Sequence, residues 1–241
     1  MNPVVTDIIL YTFLAGLAIP VGGFIARIPH LVPDWLEDEF RHFVIALGGG
    51  IMLGAVAIVL VPVGMSYMNY SGLAIVAMLA GGISFFLLER FLGLKRQEAP
   101  QFTGMLLDYI PECLALGGIA ALGASSAPLL AILIGMQNLP EGFNAYRELA
   151  NDQQQNQRTV LLQMTGVVFI GPLFGVLGYW LLPDIPALLG HVLIFAAGGI
   201  LYLIFQDIAP QAKLQKHWAP PLGAVVGFVL AMTGQLITGH S

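Results

Sequence analysis

The chain has 241 residues, of which 57% are hydrophobic and only 10% charged, with 29 glycines and a formal net charge of −5. A water-soluble domain carries about 25% charged residues, so this composition cannot make a soluble surface and also excludes disorder. Nine Lys and Arg against fourteen Asp and Glu give no basic footprint, so nucleic acid is not an expected partner. The remaining solvent is the lipid bilayer, in which a helix satisfies its own backbone and needs about 20 mostly apolar residues to cross. The chain has room for about eight such spans with short connections. Its one cysteine, Cys113, cannot form an internal disulfide. No basic residue or small-residue cleavage pattern precedes the first apolar run, so that run is expected to be a retained span.

In chain order, apolar runs bounded by Pro, Gly, Asn or charged clusters predict helices at about 5–28, 43–68, 71–92, 102–122, 128–146, 160–182, 187–210 and 218–238. The expected fold class is thus an all-α integral membrane protein, one polytopic domain over 1–241 with eight transmembrane helices. Connections 2–3, 4–5 and 6–7 are short enough to require antiparallel hairpins. Arg27 and Arg41 bracket connection 1–2; Arg90, Lys95 and Arg96 lie at 3–4; Arg147 and Arg158 at 5–6; Lys213 and Lys216 at 7–8. All nine fall on one side. By the positive-inside rule the odd connections are cytoplasmic and both termini lie outside, in a cytoplasmic (inner) membrane.

A repeat runs through this arrangement. Ile45-Ala46-Leu47-Gly48-Gly49-Gly50-Ile51-Met52 of span 2 matches Ile194-Phe195-Ala196-Ala197-Gly198-Gly199-Ile200-Leu201 of span 7, and each stretch leads to a proline, Pro62 or Pro210. Ile19-Pro20-Val21-Gly22-Gly23 of span 1 matches Gly171-Pro172-Leu173-Phe174-Gly175 of span 6. Paired segments run in opposite directions, so the pattern predicts a 3+2+3 inverted repeat around a central pair of spans 4 and 5. Small residues are also common wherever membrane helices pack closely.

The central pair carries the chemistry. Span 4 holds Asp108-Tyr109-Ile110-Pro111-Glu112-Cys113 and span 5 holds Gln137-Asn138-Leu139-Pro140-Glu141-Gly142. In each, the first polar residue and the Glu are i and i+4, on one helix face, and the proline before the Glu frees a carbonyl one turn back. Asp108, Glu112, Gln137 and Glu141 can therefore converge. Intramembrane carboxylates cost at least a few kcal/mol and are functional by default; with no cationic side chain in either predicted span, protons or a bound cation must neutralise them. Oxygen ligands suit hard or borderline divalent ions. Met136, Met164 and Cys113 read as packing residues. Asp207, near the cytoplasmic end of span 7, reads either as an exit-path ligand or as a solvated helix-end acid. His30, His191, His217 and His240 read as surface histidines, and Glu37-Asp38-Glu39 as a solvated loop or helix start.

At these residues the sequence resembles the ZIP family of divalent metal transporters, whose fourth and fifth spans carry His-Asn-x-Pro-Glu-Gly or variants such as Gln-Asp-x-Pro-Glu. The likeness takes in Asp108, Tyr109, Pro111, Glu112 and Cys113 in span 4; Gln137, Asn138, Pro140, Glu141 and Gly142 in span 5; and Gln206-Asp207-Ile208-Ala209-Pro210 in span 7. It implies transport of Zn, Fe, Mn or a similar ion towards the cytoplasm, with metal ligands Asp108, Glu112, Gln137 and Glu141 and with Asn138 as a helper; the choice between the two readings of Asp207 stays open. It also implies an elevator-like movement of spans 1, 4, 5 and 6 against 2, 3, 7 and 8. Departures are as informative. Asp108 stands at the family's His position, Tyr109 at its Asn position, and Gly171 where the family's second metal has a Glu before the span 6 proline. One site is therefore expected, harder and more negative than the family's usual one.

An enzyme is not expected, no cofactor is expected beyond the transported ion, and no Walker A pattern implies ATP. Divalent ions and the bilayer are the expected partners, with a homodimer left open. Two other readings remain: a degenerate, non-transporting scaffold or metal sensor, and an intramembrane aspartyl hydrolase using Asp108 and Asp207.

Overall fold

A computed structural model describes residues 2–28, 36–92, 100–151, 156–215 and 217–238. Lys95, Arg96, Lys216, His30 and His240 lie outside the described residues. Every regular element among them is helical. We number these as α1 Pro3–Ala26, α2 Glu37–Tyr67, α3 Leu73–Leu92, α4 Pro100–Ala121, α5 Ala127–Asn151, α6 Gln157–Leu181, α7 Pro186–Gln211 and α8 Leu222–Thr238. Among the described residues, all of these except α5 and α8 are long and apolar enough to cross a membrane, which makes six. Their outer faces leave Leu10, Leu14, Val76, Leu79, Ile83 and Leu173 exposed. Such surface is stable only in lipid, so this is an integral membrane protein.

Local chemistry explains the helix ends and their irregularities. Asn2 caps α1, its side chain accepting the Val4 N–H at 3.1 Å, and Pro3 takes the first turn, where no donor is needed. The helix α2 begins six residues earlier than the sequence predicts, because Glu37, Asp38 and Glu39 form its first turn and complement the helix dipole. At the other end of the chain's core, α5 continues to Asn151, past the predicted 146. Pro172 lacks the N–H that would bond Val168, and α6 is interrupted there between Gln157–Val167 and Ile170–Leu181. Wide π turns precede two further helix prolines, at Ala55–Leu60 before Pro62 in α2 and Ile204–Ile208 before Pro210 in α7. They start at equivalent places in the matched Gly-rich stretches of these two helices.

The tightest neighbours are α1 with α5, α4 with α6, α2 with α8 and α3 with α7. Small residues let the backbones approach: a Cβ on Gly22 would strike the Leu139 carbonyl, and one on Gly142 the Ile19 carbonyl. Two four-helix groups result, α1–α4–α5–α6 and α2–α3–α7–α8, meeting mainly where α2 crosses α5 and α4 crosses α7. Polar contacts tie the helix ends. Arg147 at the end of α5 pairs with Glu37 at 2.8 Å, and His217 after α7 pairs with Glu39, so connections 1–2, 5–6 and 7–8 share one end of the bundle. At the other end the Asn2 amide donates to the Tyr179 hydroxyl at 2.9 Å, joining the start of α1 to the end of α6.

Candidate functional site

The helices α4 and α5 pack antiparallel at the centre, with Asp108, Glu112, Gln137, Asn138 and Glu141 all buried. Because the two directions oppose, Glu112 lies level with Gln137, and Asp108 level with Glu141. The Gln137 amide donates to both Glu112 oxygens, at 2.9 and 2.8 Å, and Gln137 Oε1 has no partner. On the second level donors are missing: Asp108 Oδ1 and both Glu141 carboxylate oxygens are buried without a hydrogen bond. The three acids are close enough to act on one another electrostatically. Asp108 and Glu141 line a cavity of about 20 Å³ together with Met52, Met105 and Asp207, which is room for about one water or bare ion. Asp207 belongs to the π turn of α7 and reaches α4 at Gly104, one turn before Asp108.

The predicted ligands are thus distributed over two levels. Glu112 and Gln137 are mutually satisfied; Asp108 and Glu141 face the cavity, with Asp207 across it. Asn138 turns away, its amide donating to the Ala15 carbonyl of α1 at 2.9 Å. Among the described residues, no group of three His, Cys, Asp or Glu is arranged to hold a metal ion. Cys113 and Met164 are fully buried in the apolar core, and Met136 packs against it.

Two features escaped the motif reading. Asn144 is buried on the same face of α5 as Gln137 and Glu141, one turn further along, with Oδ1 unpartnered. Glu89 of α3 is only 3% exposed and accepts hydrogen bonds from the Tyr202 hydroxyl and, at 3.3 Å, the Gln206 amide of α7. Its neighbour Arg90 makes it resemble an ordinary helix-end acid in the sequence.

Tyr109 and Gly171 are coupled by packing. Tyr109 is fully buried, and its hydroxyl donates to the Thr12 carbonyl at 2.9 Å. A Cβ on Gly171 or on Gly16 would collide with that hydroxyl. The phenol therefore fills the space that a side chain at 171 would need. No family model and no curated protein matches the sequence.

Proposed function

We propose that this chain moves divalent cations across the membrane towards the cytoplasm through the α4–α5 carboxylates. The observation that carries the reading is the set of buried, unpartnered oxygens of Asp108 and Glu141 around a cavity with a third acid, Asp207, on its far wall. Buried polar atoms without partners are expensive, and a cation is the partner that would satisfy several acceptors together. In this proposal the ion draws on Asp108 and Glu141 first, with Gln137 Oε1 and Glu112 completing the shell once the amide turns, and with Asn138 as a more distant helper. The resemblance of the Pro-Glu motifs to the ZIP family points the same way. Carboxylate in place of imidazole favours Mn, Fe(II) or a broad divalent range over strict zinc selectivity.

The same proposal includes eight spans. At 25 residues, α5 is long enough, and its polar face is enclosed by α1, α2 and α4; the 17 residues of α8 reach about 25 Å at about 1.5 Å each, close to the hydrocarbon thickness. The inverted repeat is supported by the packing, since exchanging 1–3 with 6–8 and 4 with 5 turns α1–α5 into α6–α4 and α2–α8 into α7–α3. The two four-helix groups are the division that an elevator movement would use. We place the basic connections in the cytoplasm and both termini outside.

The aspartyl hydrolase reading gains one observation, because Asp108 and Asp207 border one cavity. Uptake of Mn, Fe, Zn and Co into proteoliposomes decides among the readings. Transport that depends on Glu112 and Glu141 is the expected result; a protein that binds metal without moving it is a scaffold or sensor, and loss of a peptidase activity on Asp207→Asn would identify the hydrolase.

A further inference from the structure

At the end of the bundle that holds connection 7–8, an open groove of about 440 Å³ runs between α2 and α7. Its walls are apolar, with Ala46 and Leu53 on one side and Phe205 and Ala209 on the other, and Lys213 and Trp218 stand at one end. We propose that this groove binds one anionic phospholipid, an acyl chain along the walls and the phosphate at Lys213.

The dimensions fit. Ala46 to Leu53 covers about 10 Å of helix at about 1.5 Å per residue, against about 15 Å for one leaflet of the hydrocarbon core. Phe205 is 69% exposed on the groove wall, and Trp218 is 91% exposed at its end; an indole in that position is suited to the headgroup level. The charge fits as well. Among the residues that line the groove, Lys213 and His217 are basic and none is Asp or Glu. Of the three acids in the first turn of α2 at this end, Glu39 pairs with His217 and Glu37 with Arg147, and none of Glu37, Asp38 and Glu39 lines the groove. Lys213 above an apolar slot whose lining contains no acid, on the side assigned to the cytoplasm, is complementary to an anionic headgroup, and basic sites between helices on that side recognise such lipids. The wall also includes the turn that carries Asp207, so an occupant there adjoins the central cavity.

This inference rests on the membrane reading and the proposed sidedness, and it does not require that the protein transports metal. The test is native mass spectrometry of the full chain in neutral detergent, titrated separately with phosphatidylglycerol and phosphatidylcholine. One phosphatidylglycerol should be retained with about a fivefold preference, the weight of about one interfacial lysine. Lys213→Glu, an exposed substitution, should remove the preference; Ala209→Trp should reduce retention of both lipids by filling the slot. Equal retention of the two lipids, or a preference unchanged in both variants, overturns the proposal. Dissociation of a dimer by Ala209→Trp without loss of lipid would overturn it too, by assigning the groove to a second copy. Loss of metal uptake with lipid retention intact would count against the transport reading alone.

Discussion

Two buried glutamates sit in opposite circumstances. Glu89, between α3 and α7, is provided with donors from Tyr202 and Gln206; Glu141, between α5 and the cavity, has none for either oxygen. Both are removed from solvent, so burial alone does not mark a functional acid. The difference lies in the supply of donors. Where helices bring a phenol and an amide to a carboxylate, the acid is a tie between them; where they withhold donors, its oxygens are left open to a partner from outside the protein, which the proposal takes to be a cation.

The contrast is broken or upheld most directly by transport. Glu141→Gln and Glu112→Gln should each lower uptake into proteoliposomes by more than about tenfold, a loss of about 1.4 kcal/mol or more, with normal amounts of protein in the membrane. Asp108→Ala should be intermediate and Asp207→Asn mildest. Glu89→Gln should leave uptake within about twofold, because that acid's work is structural. If Glu89→Gln instead stops transport while Glu141→Gln is silent, the division between the two glutamates is wrong, and so is the pathway.

Acid should act in the same order. Only ionised carboxylates are good ligands, so protons compete with the metal and uptake should fall as pH decreases. Raising the metal concentration at low pH should recover the rate if competition is the cause. A rate that stays depressed at saturating metal would place the proton effect outside the site.

Much of this was legible from residue order alone. Hydrophobic runs fall on each of the eight helices among the described residues, six of them long and apolar enough to cross a membrane, and the proline-glutamate motifs lie on the two central helices. Helix ends were less legible, because the first turn of α2 consists of Glu37, Asp38 and Glu39, which composition assigns equally well to a loop. Nor could spacing within one helix reveal that Gln137 satisfies Glu112 while Asp108 opens on the cavity, a distinction set by the stagger of two antiparallel helices. Glu89 was concealed by Arg90. The same limit applies to Tyr109 and Gly171: in the sequence they read as two unrelated positions, and only the packing shows that the phenol takes the space a side chain at 171 would need.

That exchange gives a sharper stability test. Gly171→Ala should cost about 1–3 kcal/mol, the usual range for overpacking, because the added methyl meets the Tyr109 hydroxyl. In a Tyr109→Phe background the cost should be smaller by about 1 kcal/mol. Equal costs in the two backgrounds would show that the phenol does not occupy the space. Metal bound per chain, counted by anomalous scattering, should be one; two fully occupied ions beside Glu112 and Glu141 would contradict the proposed single site.

The smallest expected effect returns to the two glutamates and concerns the metal-free protein. Glu141→Gln removes a carboxylate that has no donor and lies close to two other acids, so the variant should melt slightly higher than wild type, by roughly 0.5–1 kcal/mol, as substitutions that relieve a strained functional site often do. Glu89→Gln should shift the opposite way, since its new amide would confront the Gln206 amide and exchange a charge-assisted acceptor for a neutral one. Adding Mn or Zn should then invert the comparison at Glu141. Wild type gains about 2.7 kcal/mol at one hundred times Kd, whereas Glu141→Gln, lacking a ligand, should gain much less. A metal-dependent rise in Tm that is equal in wild type and Glu141→Gln would mean that the ion is held elsewhere, and that the unpartnered oxygens of Glu141 need another explanation.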